Sequence, residues 1–260
     1  INQNKLLAKI VVFDSGLGSI SIIKEIKKIM KTDIVYFADQ KNYPYGNKSQ
    51  AQIASIIKKT INMLEEKFTP DVIVVASNTP SLMLNLQTGK IIGVKPPLKL
   101  AQKKSKSKKI GILATKASVN SKGLENYVKE NNIPKSYKIF KINGSNLVDL
   151  VESGKFLNNK KYCKKIIKKS LDDYIITEKI DAITLSSTHL LFLKTLLEKE
   201  FPQVEFIDPG SLVAKKIFLK IKNKQSKRNS LKIFTSGNII NFKNKLNKIG
   251  IKNKINYLST

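Results

Sequence analysis

Two four-residue phrases, Ala76-Ser77-Asn78-Thr79 and Ser186-Ser187-Thr188-His189, stand about 110 residues apart and fill the same place in a local pattern. Each follows a short apolar, β-rich run, Val72 to Val75 in one case and Ala182 to Leu185 in the other, and each precedes a helical pattern. Such a run entering a helix predicts a parallel strand with hydroxyls at its carboxyl end, the edge at which open α/β sheets bind ligands. Two equivalent edges constrain the chain to two similar halves facing one cleft.

Further apolar runs occur at 10–13, 34–37, 110–114, 137–142, 204–207 and 231–234, most of them separated by helical patterns. Ile22, Ile23, Ile26, Ile29 and Met30 fall at three- and four-residue steps, an apolar stripe opposite a lysine face. Residues 50–66, 146–152, 160–177 and 190–200 read the same way. Strands alternating with helices predict right-handed βαβ units, hence an α/β fold of two pseudo-symmetric Rossmann-like lobes, each a mostly parallel sheet flanked by helices, with the active site in the interlobe cleft. A chain of 260 residues, 41% hydrophobic, can bury two cores of about 100–130 residues each. The breaks near Pro96-Pro97 and Asp208-Pro209-Gly210 place the first lobe at 1–97 plus 210–260 and the second at 98–209, the tail returning because it carries a strand pattern ending in Thr235-Ser236-Gly237.

The net charge of +29 raises a nucleic-acid-binding alternative. Arg228 is the only arginine, however, and base readers and bidentate phosphate clamps favour arginine. A solvated lysine surface is the simpler account, with the runs Lys103 to Lys109 and Lys222 to Arg228 read as linkers between elements. No signal-like segment opens the chain, and the Leu190 to Leu197 run is broken by Lys194, so a soluble cytoplasmic protein with no membrane partner is expected. The lone Cys163 has no partner for a disulfide or a metal cluster, and no metal is expected.

Phe13-Asp14-Ser15-Gly16 leads through Leu17 and Gly18 into a helix, an arrangement whose backbone N–H groups suit a carboxylate or phosphate, or which is a plain turn. Pro44-Tyr45-Gly46 alone reads as an ordinary turn. His189, the single histidine, stands at a strand end where catalytic side chains gather, whereas Glu152 taken by itself is a solvated acid closing a short helix.

Taken in order, Phe13-Asp-Ser-Gly, Pro44-Tyr-Gly, Ser77-Asn-Thr, Ala114-Thr-Lys-Ala-Ser, Leu150-Val-Glu, Ser187-Thr-His and Thr235-Ser-Gly resemble the glutamate racemases of the aspartate/glutamate racemase superfamily across nearly the whole chain. The resemblance implies a cofactor-independent, two-base interconversion of L- and D-glutamate for cell-wall peptidoglycan, in which two cysteines face opposite sides of the α-carbon. Those cysteines fall on Ser77 and Ser187 here. It also implies auxiliary acid–base and orienting roles for Asp14, Glu152 and His189. Ser15, Asn78, Thr79 and Thr188 then hold the amino acid's charged groups, Pro44, Tyr45 and Gly46 contribute to the pocket, and Ser118 stands where a threonine is usual. Glutamate is the implied small-molecule partner, with a wall-precursor nucleotide activator and a homodimer as further implied partners. Pro80, Leu190-Leu191 and Asn143-Gly144 depart from the family pattern and reshape the pocket.

The serines weaken the chemistry. A thiol has a reference pKa near 8.5 and an alcohol lies near water's ~15.7, so the same deprotonation costs about seven units more, on the order of 9–10 kcal/mol before the site helps. Three readings follow: serines introduced to trap bound substrate, a natural member drifted to amino-acid binding with impaired racemisation, or serine-dependent chemistry using Ser187 and His189.

Overall fold

The computed structural model describes residues 9–84, 86, 89–221, 224, 226 and 228–260. Along the described chain the strands are β1 (Lys9–Asp14), β2 (Asp33–Ala38), β3 (Val72–Val75), β4 (Ile91–Gly93), β5 (Lys109–Ala114), β6 (Lys138–Asn143), β7 (Ala182–Leu185), β8 (Glu205–Ile207), β9 (Ser230–Thr235) and β10 (Ile255–Tyr257). They make two sheets, one ordered β10-β9-β2-β1-β3-β4 and one ordered β6-β5-β7-β8, and every pairing is parallel. The helices are α1 (Ser19–Ile29), α2 (Gln50–Phe68), α3 (Asn78–Met83), α4 (Leu98–Lys104), α5 (Lys116–Val119), α6 (Lys122–Glu130), α7 (Ser145–Glu152), α8 (Lys155–Asn158), α9 (Lys160–Asp172), α10 (Lys194–Glu200), α11 (Gly210–Ile221) and α12 (Ile239–Lys248).

Because successive strand residues point to opposite faces, each buried strand feeds two cores. Ile10 and Val12 of β1 pack with α1, α11 and α12 through Ile22, Ile26, Ile217 and Phe242, while Val11 and Phe13 pack with Ile53, Ile57 and Leu64 of α2. In the second sheet Leu113, Ile183 and Leu185 meet the helices α7, α9 and α10, and Ile112 and Ala114 meet Leu98 and Leu124 of α4 and α6. Covered on both faces, the central strands β1, β3, β5 and β7 read as continuous apolar runs, which is why they were legible.

The repeat expected from the two phrases is present in the register. The order β2-β1-β3-β4 matches β6-β5-β7-β8. Phe13 pairs with Val75 as Leu113 pairs with Leu185. The Ala76 N–H donates to the Phe13 carbonyl at 2.8 Å and the Ser186 N–H to the Leu113 carbonyl at 2.8 Å, while Asp39 N–H to Asp14 and Gly144 N–H to Ala114 are each 2.7 Å. Ser77 and Ser187 therefore occupy equivalent positions, with φ, ψ of −140°, 129° and −145°, 133°.

Some boundaries differ from expectation. The 160–177 helix ends at Asp172 and widens into one π turn over Asp173–Thr177, and 190–200 divides into a 3-10 segment, Thr188–Leu193, and α10. The lysine run at 103–109 is no free linker: it closes α4, turns and opens β5. The second run, at 222–228, lies largely outside the described residues. Among the described residues no helix is long and apolar enough to cross a membrane.

Candidate active site

Ser77 caps α3 and Ser187 precedes the Thr188–Leu193 segment, yet neither side chain makes the capping hydrogen bond that serine usually supplies there. Both instead line one cavity of about 50 Å³ between the sheets. Its wall also carries Ser15, Pro44, Tyr45, Gly46, Asn78, Thr79, Thr188 and His189. The structure thus brings ten of the thirteen residues singled out in the sequence onto one surface.

The remaining three stand one layer behind it. Asp14 turns back on its own loop, where its two oxygens accept from the N–H of Gly16 at 3.2 Å and of Ser19 at 2.9 Å. A carboxylate there satisfies the first orphan donor of α1 and faces the positive end of the helix dipole. Even so, burial dominates and raises the Asp14 carboxyl to about 7, against the opposing pull of His189 and Ser19. Ser118 closes a hydroxyl triangle with Thr115 at 3.0 Å and Thr79 at 3.1 Å, joining the strand end of the second sheet to α3 of the first.

Glu152 corrects its reading as a solvated helix-end acid: it is 7% exposed. One oxygen, Oε2, lies 3.1 Å from His189 Nε2 and accepts from the Leu17 N–H at 3.3 Å, while Oε1 accepts from Lys245 Nζ at 2.6 Å. Burial pushes this carboxyl up, but His189 and Lys245 outweigh it and hold it below the usual carboxylate range. For His189, burial pulls down, and the hydrogen bond and charge of Glu152 with the charge of Asp14 outweigh that, leaving the imidazole above its ordinary value. Both shifts favour the charged pair, in which Nε2–H donates to Glu152.

Close backbone approach makes this packing possible. A Cβ on Gly16 would lie 2.7 Å from Glu152 Oε2, and one on Gly18 would lie 2.0 Å from Thr188 Oγ1. The Thr188 hydroxyl donates across the sheets to the Ala76 carbonyl at 3.0 Å, and the Ser21 hydroxyl donates to the Thr188 carbonyl at 3.0 Å. Tyr45 is buried and its hydroxyl donates to Asp39 at 3.0 Å, which anchors the Pro-Tyr-Gly turn on the cavity wall.

Sequence reasoning missed Tyr43, Thr115, Val148 and Ser186 on the wall, and Asp39 and Lys245 behind it. Thr115 and Ser186 were recoverable as the repeat mates of Ser15 and Ala76; Lys245, on a lysine-rich helix far along the chain, carried no signal. Tyr43 also faces a larger cleft of about 760 Å³, whose wall includes Glu152, Lys245 and α12. Burial and the nearby carboxylates push the Tyr43 phenol up, so it stays a neutral hydroxyl.

Two matched sheets presenting like groups at equivalent strand ends to one cavity, backed by buried acids on both sides, define an α/β protein of the racemase class. The chain belongs to the glutamate racemase family. It is 30% identical over 231 residues to a glutamate racemase of Leptospira borgpetersenii, covering 86% of each chain. Against that of Buchnera aphidicola from Schizaphis graminum it is 31% identical over 229 residues, covering 85% of this chain and 88% of the relative. Among solved structures it superposes on glutamate racemase from Aquifex pyrophilus with a TM-score of 0.72 at 28% identity, covering 96% and 98% of the two chains. The fold also matches Escherichia coli glutamate racemase in complex with L-glutamate and the activator UDP-MurNAc-ala, with a TM-score of 0.82 at 22% identity and 97% and 98% coverage. A third match is the Francisella tularensis enzyme in complex with D-glutamate, with a TM-score of 0.80 at 22% identity over 98% of each chain. No family model matches the chain.

Proposed function

We propose that the cavity between the sheets binds glutamate with Ser77 and Ser187 on opposite faces of its α-carbon, and that this sequence racemises glutamate slowly because hydroxyls stand where thiols are required. Asp14 supports the Ser77 face and the Glu152–His189 pair the Ser187 face. Asn78 carries the reading: buried on the cavity wall, its amide nitrogen and oxygen both find no hydrogen-bond partner among the described residues. An unsatisfied buried amide costs roughly 1–3 kcal/mol. Two donors and an acceptor on one side chain match the carboxylate and ammonium of an amino acid, which would recover that cost.

The lobes in this reading are 1–97 plus 210–260 and 98–209, supported by sheet membership and by the packing of α11 on α1. Relatives solved with L-glutamate, D-glutamate and the activator UDP-MurNAc-ala support glutamate as substrate and a wall-precursor nucleotide as activator; a role in peptidoglycan synthesis in the cytoplasm goes with that reading by family likeness. A homodimer completes the proposal by family likeness.

Calorimetric titration with L- and D-glutamate tests it. Heat with both enantiomers, lost in Asn78→Ala, is the expected result; no heat and no thermal protection with either would overturn it.

A further inference from the structure

We propose that Lys245 keeps the His189 proton labile: reaching from α12 to Glu152, its ammonium neutralises the buried carboxylate that would otherwise hold the imidazolium fast. The proposal rests on the reading that His189 works beside Ser187, but its geometry is independent of glutamate.

The three charges meet at one carboxylate. Lys245 Nζ is 2.6 Å from Oε1, and His189 Nε2 is 3.1 Å from Oε2 of the same group. Glu152 has little room to adjust, since Oε2 also accepts from the Leu17 N–H and Gly16 packs against it. Removing Lys245 therefore leaves the carboxylate in place. Its side chain is 8% exposed and that of His189 10%, so their charges are poorly screened, whereas the Lys245 side chain, 37% exposed, reaches in from solvent.

Charge balance decides the direction. With Lys245 present, loss of the imidazole proton leaves a neutral ammonium–carboxylate pair beside a neutral ring. Without it, the same loss strands a buried carboxylate with no counter-ion, the costly outcome for a low-dielectric site. With Nε2–H committed to Glu152, the proton that leaves is the one on Nδ1.

Other charged groups stand on the elements around His189, among them Lys27 of α1 and Lys248 of α12, which lines the outer cleft beside Glu152. Asp14 from β1 is the second acid that reaches it. On α1, Lys24 lies over the Phe192 ring and Glu25 pairs with Lys28; on α10, Lys194 pairs with Asp208 and Glu198. Asp149 of α7 faces the outer cleft. Tyr43 stays neutral. Among the described residues, Lys245 is the lysine in direct contact with the carboxylate that holds the imidazole.

The single histidine of the chain makes the test direct, because every imidazole signal in the NMR spectrum is His189. Ring resonances of the intact protein are titrated beside Lys245→Met and Lys245→Arg, with thermal melts confirming that each variant is folded. The expected result is a rise of roughly 0.5–1 pH unit in the His189 midpoint for Lys245→Met, the scale of one partly screened unit charge a carboxylate away, and a wild-type midpoint for Lys245→Arg. An unchanged or lowered midpoint in Lys245→Met overturns the proposal, and so does an Arg variant that titrates like the Met variant. Neither glutamate nor turnover enters the measurement, so it can fail while the glutamate-binding reading stands, and the calorimetric test can fail while this one holds.

Discussion

At the scale of single residues, a hydroxyl rather than a thiol at both strand ends sets what the proposed site must supply. A thiol gives a thiolate near neutral pH with modest help, whereas a hydroxyl needs a partner base that itself bridges several pKa units. His189 is paired with Glu152, and neither serine is engaged in capping its helix. Ser77→Cys together with Ser187→Cys is therefore expected to raise racemisation of L-glutamate, followed by optical rotation, by at least about 10³-fold. Equal turnover in the unsubstituted protein would mean that the hydroxyls already serve as bases. Asp14 provides a second test. Burial raises its carboxyl from the ordinary 3.8 to about 7 in the folded protein, so between those values the native state holds a proton that the unfolded chain has released. The stability this contributes is complete below the unfolded value and is lost as pH rises through about 7, with a slope of up to about 1.4 kcal/mol per pH unit. Urea midpoints from pH 4.5 to 6.5 should fall more steeply in the parent than in Asp14→Asn; parallel curves would show that Asp14 is ionised throughout. Residue roles were legible only where neighbours in sequence are neighbours in space. Asp14 announces itself beside Gly16 and Gly18, but Glu152 reads as a surface acid because nothing near it in the chain reveals that His189 and Lys245 converge on it.

At the scale of elements, the strands that feed two cores were readable as unbroken apolar runs, and so were the edge strands β6 and β8 of the second sheet, but the two edge strands of the first sheet were not. Ile91–Gly93 and Ile255–Tyr257 are three residues each and border only one neighbour, so neither length nor alternation marks them. Helix α12 escaped for a related reason: it buries only Phe242 and Leu246, a single i, i+4 pair among lysines and asparagines. By contrast the loop before α1 shows its demands openly. Gly18 sits where a Cβ would lie 2.0 Å from Thr188 Oγ1 and 2.7 Å from Asp14 Oδ2, so Gly18→Ala must displace the threonine that ties the second sheet to Ala76. A loss of about 1–3 kcal/mol in chemical denaturation is expected from such overpacking. Gly16→Ala presses on Glu152 Oε2 at 2.7 Å, and it should lower the His189 NMR midpoint by loosening the bond that sustains it. A Gly16→Ala protein with an unaltered His189 titration would show that the carboxylate can yield without leaving the ring.

For the molecule as a whole, the two repeats are joined at their strand ends by polar contacts: Thr188 to Ala76, Ser21 to Thr188, Leu17 and Lys245 to Glu152, and Thr79 to Ser118. This arrangement was half visible in the sequence, where matched phrases implied matched halves, but the pairing of acids and hydroxyls across the seam depends on how the sheets face each other, which no local pattern encodes. A net charge of +29 adds long-range attraction for an anionic amino acid, an effect that salt screens. Because the cavity wall draws on both sheets, a ligand seated there holds both closed and must slow any opening that separates them. Hydrogen exchange can read this without turnover. At a glutamate concentration about 100 times its dissociation constant, the bound state gains roughly 2.7 kcal/mol, which slows exchange through such openings about 100-fold. Protection is expected together in segments 13–19 and 76–79 of the first sheet and 115–118 and 186–189 of the second. Slowing confined to one of the two sets would place the ligand on a single sheet and remove the basis for proton transfer from opposite faces.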